Sequence, residues 1–226
     1  MSAQVLRWAA VIPAYNAEQT IRSVTVETSK HVPKDGILVV DDGSNDQTTF
    51  LAKSVGVEVL RRSVNGGKGR ALRDGFDHVL ARNPDWILCL DADGQHDPAF
   101  IPLFQDMIHQ GGYDLIVGNR RRDHHAMPLL RRFSNRASSL LLSWRTGQTL
   151  EDVQCGYRAI RADFLRRLKL RCEKYDIEAE MILQVWLHRG RIGWIPISTI
   201  YRGQSSFIRK FPETLRFLKL LYRPWS

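Results

Sequence analysis

The sequence predicts an α/β domain with a mostly parallel central sheet flanked by helices, and three observations carry that expectation. Short apolar runs alternate with stretches of about 10–15 residues that have helical spacing. The apolar runs have no polar face, as in strands covered on both sides. The densest groups of carboxylates and glycines follow directly after these runs, at the strand ends where open α/β sheets bind ligands.

Taken in order, Val5 to Ile12 reads as a strand and Ala17 to Ser29 as a helix. Gly36 to Val40 is the next strand, and the turn DDGSNDQ offers caps to a helix from Asp46 to Val55. Val57 to Arg61 is a short strand, after which the loop NGGKG opens a helix from about Lys68 to Arg82. Trp86 to Leu90 is apolar without alternation, a further helix starts near Pro98, and Asp114 to Gly118 is another strand. Such repetition predicts right-handed βαβ units. From Arg120 to Arg145 the chain changes character, carrying Arg120, Arg121, Arg122, Arg131, Arg132, Arg136 and Arg145 against one acid, Asp123. No repeat or low-complexity linker divides the chain, so residues 1–208 are expected to form one domain. Residues 209–226 form a basic amphipathic segment. On a helical projection Arg216, Lys219 and Arg223 fall opposite Phe211, Leu215, Leu218, Leu221 and Tyr222, a pattern that suits either packing on the core or docking on an anionic membrane surface.

With 226 residues, 43% of them hydrophobic, the chain can bury a full core. Its apolar runs fall short of the roughly 18 residues that span a bilayer, and Arg7 interrupts the N-terminus before a secretory core can form. The expected location is therefore cytoplasmic, with peripheral attachment to the inner face of the cytoplasmic membrane as the further option. Cys89, Cys155 and Cys172 have no CxxC spacing and read as core residues. The net charge of +9 favours an anionic partner. Aromatic residues do not interleave with the basic run as base-stacking platforms would, so nucleic acid is not the expected partner.

The stretch LDADGQHDP gathers charge directly after a buried strand. Asp91 and Asp93 are two residues apart, so an extended backbone directs both to one face, and Gln95 continues the period. Hard oxygens at this spacing suit Mg²⁺ or Mn²⁺, whereas a solvated turn with Asp91 or Asp97 capping the next helix would use the same residues. NGGKGRAL lacks both the P-loop spacing and the third glycine of the dinucleotide fingerprint. It is either a turn needing positive φ at Gly66 or Gly67, or a diphosphate site with Lys68 at a helix N-terminus. His124 and His125 are adjacent, point apart, and fit a basic loop better than a metal site.

In order and in register, VIPAYNAEQTI, VVDDGSNDQT, NGGKGRALRDGF, LDADGQHDP, VGNRRR, DVQCGYRAIR and YRGQSSF resemble the family-two glycosyltransferases of the GT-A fold, a Rossmann-like nucleotide-diphospho-sugar transferase fold. Within them the chain is most similar to the dolichyl- and polyprenyl-phosphate mannosyltransferases. The resemblance implies a donor nucleotide-sugar pocket of Pro13, Tyr15, Asn16, Glu18, Asp41, Asp42, Lys68, Asp91 and Asp93, although some relatives carry the acid one residue before Glu18, where this chain has Ala17. It assigns Asp91, Asp93 and Gln95 to the metal, and Arg120, Arg131, Arg132 and Ser134 to an acceptor phosphate. Asp152, Arg120 and Arg131 take the catalytic positions. On residue type alone, the arginines would equally form a solvated helix face and Asp152 a cap. The implied reaction is metal-dependent, inverting transfer of a sugar from a GDP- or UDP-linked donor to polyprenyl phosphate. Its alternatives are a saccharide or other hydroxyl acceptor and, further off, nucleotidyl transfer or a nucleic-acid-binding module.

Overall fold

The computed structural model describes residues 6–120, 129–200, 216–217 and 219–221. Its framework is a seven-stranded sheet in the order β3-β2-β1-β4-β6-β5-β7, formed by β1 (Trp8–Ala14), β2 (Ile37–Asp41), β3 (Glu58–Arg61), β4 (Trp86–Cys89), β5 (Leu115–Asn119), β6 (Arg158–Arg161) and β7 (Ile192–Pro196). Helices α1 (Ile21–Thr28), α2 (Thr48–Ser54), α3 (Lys68–Leu80), α4 (Ile101–Gln110), α5 (Leu129–Thr146), α6 (Ala162–Leu165) and α7 (Ile177–Leu187) connect and cover the strands.

The unbroken apolar runs become the inner strands, as the absence of a polar face predicts. Every residue of β2 and β4 is buried, and β1 carries Ala10, Val11 and Ile12 with no exposed surface. At the edge, β3 is half-buried and ends on the exposed Arg61, a charge that discourages further strand pairing. β1 runs two residues further than its apolar pattern ends, through Pro13 and Ala14, and pairs in parallel with β2 on one side and β4 on the other. The strand order thus reverses beside β1, and in open α/β sheets the crevice at such a reversal takes the ligand.

The described part of the expected order is present, with ends shifted by at most four residues. α1 begins at Ile21 because the segment before it is a turn tied by the amides of Thr20 and Ile21 to the Ala17 carbonyl, at 3.0 and 2.9 Å. One strand departs from the parallel expectation. β6 is antiparallel to both β4 and β5, so its amino end lies at the same edge as the carboxyl ends of its neighbours. Cys89, Cys155 and Cys172 are buried free thiols, and burial pushes the Cys89 and Cys155 thiols up to about 12 and 11, as core residues behave. Among the described residues no helix is long and apolar enough to cross a membrane.

Candidate active site at the strand ends

Lys68 stands at the centre of the crevice because α3 begins there, directly after Gly67, whose φ of +96° turns the chain into the helix. Its ammonium lies 2.5 Å from Asp91 Oδ1 at the end of β4 and 2.6 Å from Glu178 Oε1 in the first turn of α7. Burial alone would lower the lysine's pKa, but the two carboxylates outweigh it and raise the pKa above its ordinary value. Burial likewise pushes the Asp91 carboxyl up, and Lys68 beside it reverses the shift, to about 2. Both charges are therefore fixed throughout the neutral range. Gly156 roofs the pair: a Cβ there would stand 2.7 Å from Lys68 Nζ and 2.8 Å from Asp91 Oδ2, so a side chain would displace the ions. His96 packs behind them, its ring stacked on Tyr157 at 5.2 Å, and its Nδ1 accepts from the Asp91 amide at 3.1 Å. Burial holds His96 down to about 4, so at neutral pH it is an uncharged acceptor.

Asp93 accepts from the Gln95 amide at 2.9 Å, while the Gln95 carbonyl accepts from the Ile200 amide at 3.1 Å and His96 bridges to Thr199. These bonds pin the turn and leave both Asp93 and Gln95 half-buried at the crevice. Among the described residues no three His, Cys, Asp or Glu side chains lie together as a metal cage. The donor set nevertheless fits Mg²⁺ or Mn²⁺, because such ions bind through one or two carboxylates, with waters and substrate phosphates completing the shell. Asp93 and Gln95 would supply hard oxygens. Asp91, expected to ligate as well, is paired with Lys68. The capping alternative holds for Asp97, which accepts from the Ala99 amide at 2.9 Å ahead of α4, and not for Asp91.

The ends of β1 and β2 are clasped together. The Asn16 amide donates to Ser44 Oγ at 2.9 Å, Asn16 Oδ1 accepts from the Asn45 amide at 3.0 Å, and the Glu18 amide donates to Asp46 Oδ2 at 3.0 Å. Asn16 adopts φ +48°, which asparagine tolerates better than most residues. Glu18 accepts from the Gln47 amide at 3.2 Å, so Asn16 and Glu18 hold the loops, while Pro13 and the exposed Tyr15 remain at the mouth of the crevice. Asp41, expected among the nucleotide contacts, is wholly buried and accepts from the Ser44 amide at 2.8 Å and from the Thr49 hydroxyl. Asp42 pairs with Arg62 and accepts from the amides of Gly66 and Gly67 at 3.0 and 2.7 Å. Its carboxylate shapes the Gly-rich loop, and Oδ2 keeps an acceptor position beyond its bond to Gly67.

At the other end of the crevice Arg120, just past β5, grips Asp152 from two directions, with Nε at 2.7 Å from Oδ2 and Nη2 at 2.8 Å from Oδ1. The Arg120 amide adds a third bond at 3.2 Å. Burial works against the Asp152 charge, but the guanidinium prevails and holds the carboxyl below its usual range. A carboxylate so stabilised is a poor proton acceptor and suits positioning better than deprotonation. Asp152→Asn should cost about 2 kcal/mol of stability at neutral pH, the worth of charge-assisted hydrogen bonds. A carboxyl with a depressed folded pKa stabilises above its unfolded value and loses that contribution as pH falls through the folded one. The gap between wild type and variant should therefore narrow below about pH 4, measured by urea unfolding. An equal gap at both pH values would contradict the pair.

Arg132 is half-buried and Ser134 exposed in the first turns of α5. The side chain of Arg131, residues 121–128 with His124 and His125, and the YRGQSSF motif lie outside the described residues, as does most of 209–226. Within that segment Leu220 and Leu221 are buried in the core and Lys219 is exposed, so at these positions it packs on the domain. The sequence reading missed Glu178, Gly156, His96 and Arg158. Arg158 is buried at the start of β6 and donates through Nε to the Cys155 carbonyl at 3.0 Å and through Nη1 to the Glu178 carbonyl at 2.9 Å. A signal existed for Glu178: two glutamates inside the otherwise apolar IEAEMILQVWL are out of place unless paired.

Comparison with known proteins places this geometry in context. The model of the family described as Glycosyl transferase family 2 matches residues 9–169. The chain is 32% identical to undecaprenyl-phosphate mannosyltransferase of Micrococcus luteus over 88% of its own length and 87% of that protein. It is 29% identical to UDP-N-acetylglucosamine--dolichyl-phosphate N-acetylglucosaminyltransferase of Methanococcus voltae, over 94% and 92%. Its fold superposes on glucosyl-3-phosphoglycerate synthase of Mycobacterium tuberculosis, solved with Mg²⁺ and uridine diphosphate, with a TM-score of 0.75 at 22% identity, covering 98% of this chain and 81% of that one. The expected GT-A architecture is thereby met.

Proposed function

The chain belongs to glycosyl transferase family 2 and is a glycosyltransferase, and from that premise we infer that it moves a sugar from a nucleoside diphosphate sugar, GDP- or UDP-linked, to a polyprenyl phosphate with inversion at the anomeric carbon. The observation that carries the acceptor is the Arg120–Asp152 pair. A hydroxyl acceptor needs a base, and the Asp152 carboxylate is locked to a guanidinium. A phosphate monoester with a second pKa near 6 is already largely anionic at neutral pH and needs none. One of its oxygens attacks C1 from the face opposite the leaving diphosphate. The new C1–O bond forms as the old one breaks, the bond pair departs with the nucleoside diphosphate, and a single such displacement inverts the centre. The names of the Micrococcus and Methanococcus relatives point to the same acceptor class.

Within this reading Pro13 and Tyr15 flank the nucleoside, and Lys68, fixed as a cation, offsets charge on the diphosphate. The acceptor phosphate is assigned to Arg120, Arg131, Arg132 and Ser134, of which Arg120, Arg132 and Ser134 have described side chains. Asp93 and Gln95 would hold Mg²⁺ or Mn²⁺, which would supply the remaining counter-charge to the leaving group. The enzyme would work at the surface of an anionic membrane, where its lipid acceptor resides. A thermal-shift screen of nucleotide sugars with each metal identifies the donor. Incubation of the radiolabelled donor with polyprenyl phosphate should then move label into an organic-soluble product. Label that passes only to free saccharides would favour the hydroxyl acceptor and overturn this reading.

A further inference from the structure

α5 carries an apolar stripe on the side turned away from the protein. Trp144 is 79% exposed, Phe133 75% and Leu140 60%, with Leu141 beside them at 39%. At 100° per residue these four fall within about a third of the helix circumference, and from Phe133 to Trp144 they run along roughly 16 Å of it. Among the described residues, Phe50 and Val64, also strongly exposed, stand on separate elements. The opposite face of α5 is buried through Ser138, Ser139, Leu142 and Thr146. That face holds the segment carrying Asp152: Ser139 Oγ donates to the Glu151 carbonyl at 3.2 Å and accepts from the Val153 amide at 3.3 Å, and Gln154 donates to Ser138 Oγ at 2.7 Å.

We propose that this stripe of α5 docks on an anionic lipid bilayer and sets the acceptor end of the crevice at headgroup level. The proposal rests on the reading of the acceptor as a polyprenyl phosphate. Charge selects the occupant. The helix sequence LLRRFSNRASSLLLSWRT contains no acid, and Arg132 and Arg136 flank the stripe on one side and Arg145 on the other. A second copy packed on the same face about a two-fold axis would set these arginines against their own equivalents. Anionic headgroups complement them, and an exposed tryptophan suits the membrane interface. Because one face of α5 would meet lipid while the other braces Asp152, a phosphate at the surface would arrive beside Arg120.

The test is sedimentation of the full chain with vesicles of phosphatidylcholine alone or mixed with phosphatidylglycerol, at low and high salt, without donor or acceptor. Wild type should sediment with the anionic vesicles and be released by salt. Leu140→Ser combined with Trp144→Ser should weaken that binding at least about tenfold, with melting temperature and nucleotide-induced stabilisation unchanged, since both side chains are exposed. Arg136→Glu should weaken it independently. Undiminished sedimentation of the double variant overturns the proposal, as does equal binding to neutral vesicles. So does a wild-type dimer in analytical ultracentrifugation that the double variant dissociates. If wild type transfers sugar to a short-chain, water-soluble polyprenyl phosphate yet ignores vesicles, the surface is wrong and the acceptor stands. If it binds vesicles as described but transfers only to saccharides, the surface stands and the acceptor is wrong.

Discussion

Asp93→Asn is expected to reduce sugar transfer by about 10³-fold, the scale on which losing one pre-placed electrostatic group acts on turnover. The substitution is nearly isosteric. Asparagine keeps an oxygen that can accept from the Gln95 amide, as Asp93 Oδ1 does at 2.9 Å, so the turn should persist. What disappears is the negative charge, and with it the hard ligand that a divalent ion prefers. Mn²⁺-dependent stabilisation by the nucleoside diphosphate should fall with activity, while the melting temperature of the ligand-free protein stays close to wild type. A fully active variant would remove Asp93 from the metal site. A large loss of melting temperature would show that its weight lies in holding the turn.

Lys68→Met should be the most damaging substitution to the fold itself, costing about 3–5 kcal/mol. The methionine fills the same space but leaves Asp91 and the buried Glu178 facing each other without their shared cation. Glu178 Oε2 has no hydrogen-bond partner to fall back on. Adding Glu178→Gln to Lys68→Met should restore part of the loss, because one of the two stranded charges is then removed. Urea unfolding of the two single variants and the double variant gives the coupling directly, expected at 1 kcal/mol or more in magnitude. Additive effects would mean that the three groups do not act as a cluster.

Local pattern carried the sequence reading where strands were uniformly apolar and helices had clear caps. β4 and α3 lie within two residues of their expected ends. It failed at β6, where RAIR places an arginine at each end of a four-residue strand. Nothing in its period reveals that Arg158 is buried against carbonyl oxygens. The strand-end motifs lie together at one edge of the sheet, because position along a strand fixes the edge at which a residue sits. They could not say which way a carboxylate turns. Asp41 and Asp42 stand where donor contacts were expected, yet internal amides, a hydroxyl and Arg62 engage both. The same limit applies to Asp152, whose partner Arg120 is 32 residues away in the chain. Long-range pairing of this kind is settled by the packed fold and not by neighbours in sequence.

The salt link among Lys68, Asp91 and Glu178 joins groups from both halves of the chain, and this sets an order of assembly. During synthesis β1 through β4 emerge first and can pair among themselves, leaving one edge of β4 open for β6. At that stage Lys68 and Asp91 lack both the second carboxylate on α7 and the roof at Gly156. β6 must then enter beside β4 from the opposite direction before α7 can bring Glu178 into place. A nascent or truncated chain can therefore hold a well-formed half-sheet and still have no competent centre. The complete cluster of Lys68, Asp91 and Glu178 forms only when the last third of the polypeptide has docked.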